Sequence, residues 1–197
     1  MNQGTKLFEQ GRYEEALASY NKAVELTPED ETAHFNLGSA LAKLGRNAEA
    51  KKSYREALRL FPDYSEVHNN LGNLLGNEGQ FAEAVEHLTA AIKLEPDSAS
   101  AHNNLGTVLV RQSKFTDAVS HFADAVRLMP DYVEARCNLG NGYLGLGKAK
   151  EAEAEFEAAL KVNRDFEPAK RGLLRVAQFR AASQPPPSPL VTPDPPK

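Results

Sequence analysis

The chain repeats itself every 34 residues, and that period constrains its fold more than any feature of its composition. The run His68-Asn69-Asn70-Leu71-Gly72-Asn73 returns upstream as His34-Phe35-Asn36-Leu37-Gly38-Ser39. Downstream it returns as His102-Asn103-Asn104-Leu105-Gly106-Thr107 and then as Arg136-Cys137-Asn138-Leu139-Gly140-Asn141. Pro28, Pro62, Pro96 and Pro130 keep the same interval. Self-similarity at a fixed period of this length implies stacked repeats, in which each unit buries its apolar face on its neighbours.

Each unit contains two helical segments. Between Glu31 and Tyr64, Leu37, Leu41 and Leu44 recur at helical spacing and stop at Gly45. Ala50, Tyr54, Ala57, Leu58 and Leu60 then recur before Pro62. That is the apolar period of an amphipathic helix, twice, with punctuation between. Gly11, Gly45, Gly79 and Gly147 mark one turn in four units, and Ser113 stands there in another, so strain is expected at Ser113. Proline closes each second helix because it cannot continue one.

Small residues recur as strictly as large ones. Gly38, Gly72, Gly106 and Gly140 fall inside first helices, where glycine costs about 1 kcal/mol relative to alanine. A cost taken repeatedly at one register implies a second helix crossing too closely for a side chain. Ala50, Ala84, Ala118 and Ala152, with Ala57, Ala91, Ala125 and Ala159, supply the matching small contacts. Tyr20, Tyr54, Phe122 and Phe156 fill the space between units, with Leu88 in place of the aromatic in one.

Leucine-glycine in the first helix, a turn glycine, two alanines flanking an aromatic, and a closing proline resemble the tetratricopeptide repeat. The resemblance implies an all-α, right-handed α-solenoid, a superhelix of stacked helical hairpins. The units divide as 1–30 (a first repeat lacking its opening), 31–64, 65–98, 99–132 and 133–166. A capping helix follows at 167–183, with Leu173 and Ala177 in register, Leu174 where glycine recurs, and a basic outer face of Lys170, Arg171, Arg175 and Arg180. The last stretch, 184–197, is half proline and reads as a polyproline-type tail. The incomplete first unit suggests a piece of a longer chain.

Several functions are disfavoured. A net charge of −4 lacks the basic stripe that nucleic acid demands. A single cysteine, Cys137, allows no internal disulfide and no thiolate metal site. No apolar run approaches the roughly 18 residues of a membrane span, and no signal peptide is recognisable, which favours the cytoplasm and no direct membrane contact. Gly140-Asn141-Gly142-Tyr143-Leu144-Gly145 matches a dinucleotide fingerprint, but inside a repeat helix it lacks the strand-to-helix context the motif needs. His34, His68 and His102 are equivalents in successive units, too far apart to share one metal ion, and are expected to pack between the two helices of a unit. No serine or cysteine has a base at readable spacing. The expectation is a non-enzyme without cofactor or metal.

The asparagines point to binding. Asn36, Asn70, Asn104 and Asn138 recur at one register, with Asn73 and Asn141 one turn along and Thr107 at the equivalent place. Asparagine is an indifferent helix former, so propensity does not explain the ladder. The amides either stiffen the stack by bonding to one another or offer a donor and an acceptor to an extended peptide backbone. The ladder is similar to that of the repeat superhelix of O-linked N-acetylglucosamine transferase, which implies a concave groove for a peptide. Lys43 and Arg111 belong to the same face. The sequence reads as a scaffold for protein or peptide binding, in which an extended segment of a partner lies in the groove. The alternatives are a module that self-associates through its end repeats or tail, and the substrate-binding part of a larger enzyme such as a glycosyltransferase.

Overall fold

The computed structural model describes residues 3–183, so the expected polyproline tail lies outside the described residues. Among the described residues there are eleven α-helices and no strand. They run α1 (Gln3–Glu9), α2 (Tyr13–Leu26), α3 (Glu31–Lys43), α4 (Asn47–Leu60), α5 (Ser65–Asn77) and α6 (Phe81–Leu94). Then come α7 (Ala99–Arg111), α8 (Phe115–Leu128), α9 (Val133–Gly145), α10 (Ala149–Val162) and α11 (Glu167–Ala182). Each odd-numbered helix up to α9 packs on the even-numbered helix after it, making five hairpins, and each hairpin packs on the next.

Local chemistry sets the boundaries. The Asp30 carboxylate accepts hydrogen bonds from the Thr32 and Ala33 amides, capping α3, and the Ser98 hydroxyl accepts from Ala101 at the start of α7. The hairpin turns need a left-handed residue: Gly11, Gly45, Gly79 and Gly147 have φ between 73° and 82°. Ser113 takes φ 61° at the same place, and it is the one non-glycine residue with positive φ among those described. The strain expected there is present.

The core follows from one recurring contact. In α7, a Cβ placed on Gly106 would lie 2.6 Å from the Phe122 ring of α8. Gly38 stands in the same relation to Tyr54, Gly140 to Phe156, and Gly72 to Leu88. Glycine is therefore required less by bare helix crossing than by the large side chain laid across it. Ala50, Ala84, Ala118 and Ala152 are wholly buried beside these contacts.

Curvature follows from which helices touch. The first helices of successive units pack on one another, α3 on α5, α5 on α7, α7 on α9 and α9 on α11. The backbones of successive second helices stay farther apart, α4 reaching α6 through the Arg55–Glu83 ion pair. The array therefore bends with the odd-numbered helices on its inner side.

The last helix keeps the register of the other first helices. It buries Ala169, Gly172 and Val176, while Leu174, at the glycine register, is 65% exposed and Ala177 is exposed. Gly172, at the asparagine register, meets the Phe156 ring as Asn70 meets Tyr54, and Leu174 stays open because no second helix covers it among the described residues. The outer face is thus not purely basic. It carries Leu174 between the exposed Arg171 and Arg175.

Two substitutions test this account by urea denaturation. Gly106→Ala should lower stability by about 1–3 kcal/mol, because the added methyl must displace the Phe122 ring. Ser113→Gly should raise it by up to about 1 kcal/mol, since relief of the left-handed penalty outweighs the added chain entropy. A neutral Gly106→Ala would show that the ring is loosely held.

Candidate functional site

The inner helices place the asparagines along one face, but they do not treat them alike. The Asn104 side-chain amide donates to the Asn69 side-chain carbonyl at 2.9 Å. Asn138 donates to Asn103 at the same distance one unit further on. Asn69 in turn donates to the Ser100 hydroxyl at 3.3 Å, and Asn103 is 93% buried. In this half of the array the amides bridge one inner helix to the next.

The bridge stops at α3 because Phe35 stands where Asn69 and Asn103 stand in later units. Asn70 finds no amide acceptor there and turns to the Tyr54 phenol. Burial pushes that phenol up, while hydrogen bonds with Ser39 and Asn70 oppose the shift. Asn36 and Asn73 engage no side-chain hydrogen bond among the described residues. Asn36, Lys43, Asn70 and Asn73 instead line one open groove of about 580 Å³. Its apolar walls are Phe8, Tyr20, Phe35 and Tyr54.

The other candidates are occupied elsewhere. The Thr107 hydroxyl donates to the Asn103 backbone carbonyl at 2.9 Å. The Asn141 side-chain carbonyl accepts from Arg175 of α11 at 2.6 Å. Arg111 donates to the Gly76 carbonyl and lies 5.1 Å over the Phe81 ring. The structure therefore gathers four of the nine residues singled out from the sequence. The sequence reading missed Asn47 and Asn77, which also line the groove, and the groove-facing role of Tyr20 and Tyr54. Asn77 was open to discovery, since it stands one helical turn beyond Asn73 on the same face.

The histidines tie units together as well as packing within them. Nε2 of His34, His68 and His102 lies 2.8, 2.9 and 3.2 Å from the carbonyls of Pro28, Pro62 and Pro96. A carbonyl only accepts, so Nε2 carries the proton and Nδ1 is left with a lone pair. Arg136 reproduces the bond through Nε to the Pro130 carbonyl at 2.8 Å. On the other side of the ring, His68 Nδ1 meets His87 Nδ1 at 2.9 Å, and His102 Nδ1 meets His121 Nδ1 at 3.1 Å. In each pair the residue on the second helix supplies the shared proton. Burial pushes the His87 and His121 pKa values down, and the neighbouring histidine adds to the effect.

Burial pushes the Cys137 thiol up, which keeps it from the reactive thiolate form. The stretch from Gly140 to Gly145 lies in the last half of α9, where the N–H groups are used by the helix itself. No helix among the described residues is long and apolar enough to cross a membrane.

Comparison with known proteins agrees with the repeat fold. Family models described as "TPR repeat" and "Tetratricopeptide repeat" match residues 4–45, 31–64, 69–133 and 109–175. A search of curated proteins gave no match. Among solved structures, the type IV pilus biogenesis factor PilW superposes with a TM-score of 0.83 at 22% identity, covering 92% of this chain and 84% of its own. MamA gives 0.72 at 24% identity, covering 83% and 96%. YrrB, a TPR protein with an unusual peptide-binding site, gives 0.69 at 26% identity, covering 85% and 87%.

The depressed histidines predict a pH dependence of stability. Unfolded imidazoles titrate near about 6.5, so on acidification the unfolded chain takes up protons before His87 and His121 do so in the fold. Stability should be complete above that value and fall as pH drops through the folded pKa values. Opposing groups are few: Glu83 and Glu86 favour the charged form of His87 while Arg55 disfavours it, and Asp124 and Asp117 favour that of His121. Urea midpoints in chelator-treated buffer between pH 8 and 5 check this. The double variant His87→Gln with His121→Gln should flatten the slope.

Proposed function

We propose that this chain, which belongs to the tetratricopeptide-repeat family, is a non-catalytic scaffold that binds an extended peptide in the groove between its first three units. The observation that carries the reading is the contrast along the inner face. Asn104 and Asn138 are consumed by amide–amide bonds, whereas Asn36 and Asn73 stand with unspent donors and acceptors beside aromatic walls. An extended backbone offers one N–H and one C=O per residue, which is what a side-chain amide can pair with. Phe8 and Phe35 would take apolar side chains of the ligand, and Lys43 would favour an acidic one near the groove's edge. That YrrB, at 26% identity, is described as having a peptide-binding site is consistent with such a use of the fold.

One observation favours self-association as a second reading. Leu174 is 65% exposed on α11, on the face that a further helix would cover. Light scattering over a range of concentrations separates the two, because groove binding requires no assembly.

Amide pairs from the two halves of the face give the decisive comparison. A library of unstructured peptides supplies the probe, and fluorescence polarisation measures the best binder. Asn36→Ala with Asn73→Ala should weaken binding by about 1–3 kcal/mol, five-fold to over a hundredfold, with little change in Tm. Asn104→Ala with Asn138→Ala should lower the Tm and leave affinity nearly intact, because those amides bond to the protein itself. Unchanged affinity in the first pair would overturn the groove reading.

A further inference from the structure

We propose that His102, His121 and Asp124 form a binding site for a single zinc ion within the α7–α8 hairpin. The Nδ1 atoms of the two histidines lie 3.1 Å apart, and Oδ2 of Asp124 lies 3.9 Å from His102 Nδ1. All three donor atoms fall within 4.8 Å of one another. Zinc bonds of about 2.0–2.1 Å at tetrahedral angles place ligand atoms roughly 3.3 Å apart. The imidazole pair is already at that spacing to within a few tenths of an ångström, and the Asp124 carboxylate, 3.9 Å from His102 Nδ1 and within 4.8 Å of both histidines, has to swing inward to join it.

The surroundings prepare these atoms. The His102 ring is held from behind by the bond between Nε2 and the Pro96 carbonyl, which directs the Nδ1 lone pair forward. A backbone carbonyl on the far nitrogen is a common support for a metal-bound imidazole. Asp124 Oδ1 accepts from Arg127 at 3.0 Å, leaving Oδ2 to face the histidines. His121 and Asp124 are three apart on α8 and so share a helix face. His102 is 93% buried, whereas Asp124 is partly open to solvent, giving an ion a way in and a water its fourth position. The ion takes the place of the single proton the two Nδ1 atoms share, and His121 then carries its one proton on Nε2, so both imidazoles bind as neutral ligands and no net proton is released. Two imidazoles and one carboxylate suit zinc far better than magnesium or calcium, which prefer all-oxygen sets.

The neighbouring units show why one ion is expected and not several. His68 and His87 form the same pair with the same support, but Ala90 stands where Asp124 would be. The carboxylate nearest that pair, Glu83, approaches the far nitrogen of His87, at 3.9 Å, and does not converge on the two Nδ1 atoms. In the hairpin after α8 the place of the pair is taken by Arg136 and Glu155.

Tag-free chain treated with chelator and titrated calorimetrically with zinc chloride tests the site. One zinc per chain is expected, and cobalt in its place should show the strong visible bands of four-coordinate geometry. Asp124→Asn should weaken zinc binding about tenfold or more, and His121→Gln further, while His87→Gln leaves it unchanged. Far-UV circular dichroism of the metal-free variants verifies the fold. Should His121→Gln unfold, Asp124→Asn decides, since its other partner among the described residues is the exposed Arg127. Absence of zinc uptake, or zinc uptake indifferent to Asp124→Asn, overturns the proposal. So does equal loss from His87→Gln.

Discussion

Everything in this molecule depends on a large side chain lying across a glycine. Phe122 over Gly106, Tyr54 over Gly38 and Phe156 over Gly140 bring the two helices of a hairpin together closely enough for alanines to make the remaining contacts. The same rings reach the next unit: Phe156 also covers Gly172 of α11, and Tyr54 meets Asn70 of α5. One residue per unit thus closes its own hairpin and sets its spacing to the following one. A solenoid has no central core, so this local contact is the whole basis of its order.

That economy explains what the sequence made legible. A packing job repeated in every unit leaves the same residue at the same register, and five repetitions stand out against chance. The hairpins, their turns and the strained Ser113 were all readable this way. The asparagine face was less so, because a shared register does not mean a shared partner. Asn104 bonds to Asn69 and Asn138 to Asn103, a diagonal link that depends on the stagger between successive helices. Phe35 breaks the series, and only the packed helices show that the consequence falls on Asn70. On α11 periodicity put Leu174 in the glycine register, and with no second helix over it among the described residues that register is left exposed.

The two halves of the inner face therefore have different physical characters. Amides that satisfy one another add rigidity and cost nothing in unmet hydrogen bonds, but they offer little to a ligand. Amides left to solvent beside aromatic rings offer both polar pairing and apolar area. In the proposed peptide-binding use, a rigid half next to an open half would hold the groove in shape before its ligand arrives, since less ordering is then needed on binding.

The position behind the groove tells the complementary story. Each unit keeps a side chain that reaches back to the proline carbonyl of the unit before it, histidine at 34, 68 and 102 and arginine at 136. That link is structural and recurs. Its partner across the hairpin is free to vary: Ser53, whose hydroxyl bonds the Glu49 carbonyl, then His87, His121 and Glu155. The invariant member must stay a donor on one side, which leaves its other side to be matched by whatever chemistry the unit presents. Where the partner is glutamate an ion pair forms, and where it is histidine two neutral rings share a proton. Among the described residues, only the unit that adds Asp124 brings three ligand atoms close together. Repetition fixes the scaffold, and the individuality of each unit lies in the one slot that repetition leaves open.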